Sequence, residues 1–352
     1  MWMVKVLIVE DSPVVREFLE YVLGSDPDIQ VIGTAQNGEE GLQFLNGNKP
    51  DVITMDINMP KMNGFEATRR IMETVPTPIV IVSGSWNTDE VATTFRAIEA
   101  GALAVVARPN GMGHPEHEKS TKDLVETVKL MAEVKVVRRW PRQRQPAPPS
   151  RKELGRDALS PIRVVAIGTS TGGPVVLQTI LSTLPKDFPV PVLIVQHISP
   201  GFTSGLVEWL AGSTGFPVSV ATNGEFALAG HAYVAPDGAH LKIEKGCRLA
   251  LSLDEPEHGL RPSVSCLFRS VTQVFGANAA GILLTGMGKD GAQELRAMRD
   301  VGAVTIVQDE ESAVVYGMPG EAVRLDAARY VLTPESIAPA LETHVRNNAQ
   351  GL

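Results

Sequence analysis

Residues Val164–Pro174 read VVAIGTSTGGP, an apolar run that ends in a glycine-rich loop before a second, helix-periodic apolar segment begins. This pattern predicts a buried strand, a sharp turn and a helix. The glycines permit a tight turn and close backbone approach, so Ser170 is expected to lie exposed at the end of the strand, beside the free N–H groups of a helix start. Such a serine is a candidate nucleophile, although glycine-rich loops of this kind also bind phosphate or simply turn the chain.

The composition is that of a globular protein with about two domains. The chain has 352 residues, of which 43% are hydrophobic and 20% charged, and its formal net charge is −8. The charge is unevenly divided, because residues 127–156 are basic and both flanking segments are acidic. Acidic domains argue against nucleic-acid binding, which needs clustered Lys and Arg. Lys135–Arg156 is also rich in proline and lacks apolar periodicity, which predicts an extended linker.

Cysteine usage and apolar run lengths indicate a cytoplasmic protein. The 2 cysteines, Cys247 and Cys266, are too few for a disulfide framework and are not spaced for a metal site. No apolar run approaches the ~18 residues of a membrane span. The apolar N-terminus is interrupted by Glu10-Asp11 before it reaches the length of a signal peptide. We therefore predict a cytoplasmic location without membrane insertion.

Strand-like and helix-like segments alternate through residues 1–126. Five apolar strands separated by helices predict a doubly wound five-stranded parallel sheet, in which ligands bind at the carboxyl ends of the strands. Glu10 and Asp11 follow the first strand and Asp56 follows the third, which gathers three carboxylates. Their mutual repulsion requires a cation, and an all-oxygen cluster suits Mg²⁺. Beside that metal, Asp56 is placed to attack a phosphoryl donor.

Residues 1–126 closely resemble the flavodoxin-like receiver domain of two-component response regulators. The resemblance rests on the motifs Val9–Ser12, Met55–Pro60, Asn63-Gly64 and Val82–Gly84. It implies that Asp56 is the phosphoacceptor, that Glu10 and Asp11 help to hold Mg²⁺, and that Ser83 is the hydroxyl that follows the phosphoryl group. The chain departs from the family at Arg108, where receivers normally carry a lysine before the proline. Arginine keeps the charge, but its planar fork is not sterically equivalent to an ammonium.

Two further polar residues follow apolar strands in residues 157–352. His197 comes after the run Val190–Val195, and Asp290 lies in the loop after Gly281–Leu284. A Rossmann-like α/β domain would bring both to the sheet edge where Ser170 is expected, as nucleophile, base and orienting acid of a serine hydrolase. The candidates for the oxyanion hole are the backbone N–H groups of Thr171, Gly172, Met287 and Gly288. The sequence does not choose among these four donors.

Residues 160–345 are similar to the catalytic domain of the chemotaxis protein-glutamate methylesterase family. The matching stretches are Ile167–Pro174, Gln196-His197, Pro200–Thr203, Tyr233–Pro236, Arg261–Val264 and Leu284–Gly291. The resemblance implies that Ser170, His197 and Asp290 hydrolyse glutamyl methyl esters on chemoreceptor helices, release methanol and deamidate receptor glutamines, without a cofactor for ester hydrolysis. A chemotaxis histidine kinase is the implied phosphodonor. The family pattern has His before Arg-Pro and Asp after Val, where this chain has Leu260 and Ser265.

We therefore predict a receiver at residues 1–126, a basic Pro-rich linker at 127–156 and a methylesterase domain at 157–352. Phosphorylation at Asp56 would shift the two domains from a form that covers Ser170 toward an open form. Gly317–Gly320 has turn composition, and the alternative interpretation is an exposed Met318 that lines a groove for a receptor helix.

The alternative is a receiver-linked nucleotide-binding or regulatory module without esterase activity. It would use Gly168–Gly173 for a phosphate, although the G-x-G-x-x-G spacing is incomplete. A transcriptional regulator would need a basic recognition helix after the receiver, and the acidic C-terminal region carries none.

Overall fold

The computed structural model describes residues 3–84, 88–134, 136 and 161–346, with backbone only for 88–93 and 346. The chain divides into two compact units, Met1–Arg144 and Gln145–Leu352. Most of the predicted linker lies outside the described residues.

The first unit alternates five strands with five helices. In chain order these are β1 Val4–Val9, α1 Pro13–Gly24, β2 Ile29–Ala35, α2 Gly38–Leu45, β3 Val52–Met55, α3 Gly64–Thr74, β4 Ile79–Ser83, α4 Thr88–Ala100, β5 Ala104–Ala107 and α5 His117–Ala132. All pairings are parallel and the strand order is β2-β1-β3-β4-β5. The predicted doubly wound sheet is confirmed, and its order reverses between β1 and β3, the switch point at which ligands bind.

Helix α5 crosses the boundary predicted at residue 126. It continues to Ala132 because Leu124, Val128 and Met131 recur at helical spacing and are fully buried. The first turns of the expected linker are therefore part of the first unit.

The second unit is built on a seven-stranded sheet. In chain order its elements are β6 Val164–Thr169, α6 Gly173–Thr183, β7 Val192–Gln196, α7 Thr203–Thr214, β8 Val218–Val220, β9 Ala232–Val234, β10 His240–Glu244, β11 Arg248–Ser252, α8 Val264–Phe275, β12 Ala279–Leu283, α9 Ala292–Asp300, β13 Val304–Gln308, α10 Met318–Arg324, β14 Tyr330–Leu332 and α11 Pro334–Arg346. The strand order is β14-β13-β12-β6-β7-β9-β8, with every pair parallel. The predicted Rossmann-like α/β class is confirmed.

The central strands β12, β6 and β7 carry the loops that matter for chemistry. Their apolar residues are fully buried because helices cover both faces of a parallel sheet. A separate antiparallel hairpin, β10 with β11, packs beside α8, where Ile243 N–H donates to Ser270 Oγ at 3.1 Å. The turn predicted at Gly317–Gly320 is the start of a helix, and the alternative of an exposed Met318 is wrong, since this residue begins α10 and is fully buried.

Candidate active site

Ser170 is the first residue after β6. Its N–H donates to Thr285 O at 3.0 Å, and its carbonyl accepts from Gly173 N–H at 2.9 Å. Gly172 has φ +79°, a left-handed conformation that turns the chain into α6 and favours glycine. A Cβ on Gly173 would lie 2.2 Å from Thr169 Oγ1, so the close approach of strand and helix also needs glycine. The turn therefore brings Ser170 to the N-terminus of α6, as the sequence predicted.

His197 follows β7, the strand next to β6. Thr169 and Gln196 are register partners, and His197 N–H donates to Thr169 O at 2.9 Å. The histidine therefore lies beside the Ser170 loop at what we call the carboxyl edge, the side of the sheet where its strands end. Its side chain is 10% exposed.

Asp290 reaches the same edge from the loop between β12 and α9. Its Oδ2 lies 3.0 Å from His197 Nε2 and its side chain is 2% exposed. The imidazole N–H does not point along this line, so the contact is an electrostatic pair rather than a well-directed hydrogen bond. Because Nε2 faces Asp290, Nδ1 is the ring nitrogen left for Ser170.

The N-terminus of α8 holds the Asp290 carboxylate. Ser263 Oγ donates at 2.9 Å, Val264 N–H at 2.7 Å and Ser265 N–H at 3.0 Å. Burial alone would raise the pKa of the Asp290 carboxyl, but the His197 imidazole and the bonds from Ser265 outweigh it and hold the pKa well below its usual range. Asp290 is therefore a fixed negative charge at the positive end of a helix.

Ser265 connects Asp290 to a charged network. Its hydroxyl donates to Glu294 Oε2 at 2.6 Å and accepts from Gly291 N–H at 3.0 Å. Arg269 Nη1 lies 3.0 Å from Glu294 Oε1, and the same guanidinium pairs with Glu257. Ser265 is thus hydrogen-bonded to a carboxylate of a neighbouring helix, Glu294 of α9.

Sequence reasoning missed the role of Gln196. Its side chain is buried, and Nε2 donates to two backbone carbonyls, Ser170 O at 2.7 Å and His197 O at 2.8 Å. One amide therefore joins the nucleophile loop to the base loop. A polar residue at the end of an otherwise apolar strand was the available signal.

The four oxyanion candidates lie in two loops beside the nucleophile. A Cβ on Gly286 would fall 2.6 Å from Ser170 Cβ, which places the loop carrying Met287 and Gly288 against the serine. Thr285 Oγ1 donates to Thr171 O at 2.9 Å and so ties this loop to the Ser170 turn. The Met287 side chain is 47% exposed. Both loops remain candidates on this geometry.

A second site lies at the switch point of the first unit. The carboxylates of Glu10, Asp11 and Asp56 come within 4.8 Å of one another, after strands β1 and β3. Burial raises the pKa of Glu10 to about 7, helped by the nearby Asp56 charge, and burial also raises the pKa of Asp56. Three clustered carboxylates fit the expected Mg²⁺, because a divalent cation relieves their mutual repulsion.

Arg108 and Ser83 border this acidic cluster. Arg108 Nη2 lies 3.2 Å from Glu10 Oε2 and 3.6 Å from Asp56 Oδ1. Ser83 is the last residue of β4 and is buried, and its carbonyl accepts from Arg108 N–H at 2.8 Å. Every receiver residue singled out from the sequence thus belongs to one carboxyl-end cluster.

Within the described residues, no helix has the length and apolarity needed to cross a membrane.

Comparisons with known proteins match both units. Residues 6–114 match the family model of the response regulator receiver domain, and residues 165–341 match that of the CheB methylesterase. A protein-glutamate methylesterase/protein-glutamine glutaminase of Nitrosospira multiformis is 57% identical over 99% of both chains. One of the same description from Geobacter metallireducens is 58% identical over 96% of this chain and 98% of its own.

A solved structure is similar to the second unit. The crystal structure of the Thermotoga maritima CheB methylesterase catalytic domain has 33% sequence identity and a TM-score of 0.50. The match covers 52% of this chain and 100% of that one. These matches favour the esterase over the alternative of a nucleotide-binding module.

Proposed function

This chain belongs to the CheB methylesterase family and carries a response regulator receiver domain, and from this premise we propose that it is a phosphorylation-activated serine esterase acting on chemoreceptors. The activity is that of a protein-glutamate methylesterase/protein-glutamine glutaminase. The proposed substrates are glutamate methyl esters on the cytoplasmic helices of chemoreceptors. The proposed location is the cytoplasm, where those helices and a chemotaxis histidine kinase meet the enzyme.

The observation that carries the catalytic proposal is the 3.0 Å pair between His197 and Asp290 beside the Ser170 loop. Ser170 Oγ attacks the ester carbonyl carbon while His197 Nδ1 takes its proton. Asp290 stays ionised and stabilises the imidazolium that forms. When the carbon–oxygen bond to the methoxy group breaks, His197 returns the proton and methanol leaves.

Water completes the cycle by attacking the acyl-enzyme. Its proton goes to His197 Nδ1 and then to Ser170 Oγ as the glutamate carboxylate leaves. Backbone N–H groups from Thr171 or Gly172, or from Met287 or Gly288, stabilise the oxyanion, each donor contributing on the order of 10²–10³ in rate. Glutamine deamidation follows the same steps with ammonia as the leaving group.

We infer that the receiver accepts a phosphoryl group from the kinase on Asp56. Glu10, Asp11 and Asp56 would hold Mg²⁺, which neutralises negative charge on the phosphoryl group. Ser83 and Arg108 lie at the same strand ends and contact the phosphoryl oxygens in the modified form. Modification of Asp56 then raises access to Ser170. A tenfold rise needs only about 1.4 kcal/mol of differential stability between two domain arrangements.

Methanol release from methylated receptor tests the proposal. The intact protein, Ser170→Ala and Asp56→Asn are compared with and without Mg²⁺ and acetyl phosphate. We expect no release with Ser170→Ala, and release from Asp56→Asn that does not respond to acetyl phosphate. Release that survives Ser170→Ala would overturn the assigned nucleophile. Release by the intact protein that ignores acetyl phosphate would overturn activation by phosphorylation and leave the esterase assignment standing.

A further inference from the structure

Arg108 is fixed in the acidic pocket by packing as much as by hydrogen bonding. Its Nη2 contacts both Glu10 and Asp56, at 3.2 and 3.6 Å. Its Nε is buried and has no hydrogen-bond partner within the described part of the chain. Hydrogen bonding at Nε therefore does not fix the orientation of the guanidinium plane, and packing against neighbouring atoms must fix it.

Gly84 is the neighbour against which the Arg108 guanidinium packs. A Cβ at this position would lie 2.8 Å from Arg108 Cζ and Nη1 and 3.0 Å from Nε. Atoms that close must move, so the guanidinium occupies the space that any other residue's side chain would need. The backbone of Gly84 is not in the left-handed region, so a larger residue here would displace the Arg108 guanidinium rather than strain the backbone.

We propose that Gly84 and Arg108 form a matched pair, in which the missing side chain at 84 lets an arginine serve as the pocket's cation and hold a phosphoryl group on Asp56. The inference rests on the proposed phosphorylation of Asp56. A guanidinium is planar and carries several N–H donors in fixed directions, which suits the oxygens of a phosphoryl group. The lysine ammonium is smaller and its alkyl chain is flexible, so it does not need the space that Gly84 leaves. The requirement for Gly84 therefore applies to arginine and not to lysine.

A double-mutant cycle on the full-length protein tests the pair. The proteins are the unchanged chain, Gly84→Ala, Arg108→Lys and the double variant, and the readout is affinity for beryllofluoride with Mg²⁺, measured by calorimetry. We expect Gly84→Ala to weaken binding on the order of tenfold in the arginine background, about the contribution of one charge-assisted hydrogen bond. In the lysine background the same change should weaken binding by less than about twofold. The control is Gly111→Ala, because a Cβ there meets nothing within 4 Å.

The outcomes separate this inference from the proposed function. Equal losses in both backgrounds would mean that Gly84 acts independently of Arg108, and would overturn the pair while leaving phosphorylation intact. Full affinity with Gly84→Ala would overturn it as well. If the unchanged protein binds no beryllofluoride and takes no label from radiolabelled acetyl phosphate, phosphorylation of Asp56 fails and the inference fails with it.

Discussion

His197 presents Nε2, rather than Nδ1, to Asp290 at 3.0 Å. We expect the Asp290 charge to favour the tautomer with the ring proton on Nε2, which leaves Nδ1 to accept from Ser170 in the proposed mechanism. In that mechanism His197 has one productive tautomer. The three donors at the start of α8 keep the partner carboxylate ionised and in place.

Replacing Asp290 by asparagine should remove the preference for this tautomer. We expect Asp290→Asn to lower kcat by about 10³–10⁴-fold, as loss of the orienting acid does in other serine hydrolases. KM should change little, because Asp290 does not touch the ester. Steady-state methanol release measures both constants, and a loss below about tenfold would argue against this role of Asp290.

The Gln196 amide should matter for rate more than for binding. Gln196→Met keeps the length of the side chain but removes both bonds between the Ser170 and His197 carbonyls. We expect kcat to fall roughly tenfold with KM unchanged, because Ser170 and His197 are no longer held in a fixed relative position.

A matched control for Gln196→Met is Thr305→Val. The Thr305 hydroxyl is buried in β13 and accepts from Arg329 N–H at 3.0 Å. Both variants should lose about 1 kcal/mol of stability, but only Gln196→Met should lose activity. Equal losses of kcat in the two variants would mean that Gln196 has only a structural role.

Gly286 should tolerate no side chain. A Cβ would lie 2.6 Å from Ser170 Cβ and 3.1 Å from Ser170 N, so Gly286→Ala must displace the nucleophile or its own loop. We expect methanol release to fall by about 10²-fold or more, consistent with a displacement of roughly 1 Å. Gly212→Ala in α7 meets nothing within 4 Å and serves as the control with full activity. Normal release by Gly286→Ala would show that the loop does not pack on Ser170.

Replacing Ser265 by aspartate, the residue that the family pattern has at this position, should destabilise the protein. Ser265→Asp sets a second carboxylate against Glu294, which accepts from the Ser265 hydroxyl, and near Asp290, which accepts from the Ser265 N–H. We expect chemical denaturation to show a loss of about 2–4 kcal/mol, against about 1 kcal/mol for Ser265→Ala. Adding Glu294→Ala to Ser265→Asp should restore most of the difference. Failure of that rescue would mean that Glu294 is not the source of the repulsion.

Glu10 should make stability depend on pH and on Mg²⁺. Its pKa is about 7 in the folded chain against 4.5 as the ordinary value, because of burial and the Asp56 charge. A raised folded pKa means that the folded state holds the proton more tightly, so this contribution is complete below pH 4.5 and is lost as pH rises through 7. We expect a loss of about 3 kcal/mol across that window.

Calorimetry of the full chain between pH 5 and 7.5 checks the Glu10 prediction. Glu10→Gln should flatten the decline, because an amide does not titrate. Saturating Mg²⁺ should restore stability at the upper pH, since a ligand of the ionised carboxylates stabilises the folded state by mass action. A decline of equal size in Glu10→Gln would assign the titration to another group.

The sequence was most informative where strand ends carry chemistry. Parallel strands deliver their last residues to one edge, so Ser170, His197 and Asp290 could be brought together from apolar runs alone, and so could Glu10 and Asp56. The class of both units followed from alternating strand and helix patterns. These predictions depend only on periodicity and on the direction of the strands.

Other features depend on contacts between distant segments. No local pattern reveals which nitrogen of His197 meets Asp290, or that Ser263–Ser265 at the start of α8 holds its carboxylate. The end of α5 was missed because the basic segment was counted from residue 127, which lies inside the helix, where Val128 and Met131 are buried. The buried Met318 was missed because turn composition at Gly317–Gly320 concealed a helix start.

The three adjacent strands β12, β6 and β7 carry the proposed esterase chemistry at one end. The opposite ends are therefore available to a protein engineer. The turn after α9 enters β13 from that far side, with Val301 46% exposed and Gly302 at φ +88°. A reporter domain or new chain termini inserted there would leave the catalytic loops unchanged, because the whole length of the sheet separates the insertion site from Ser170.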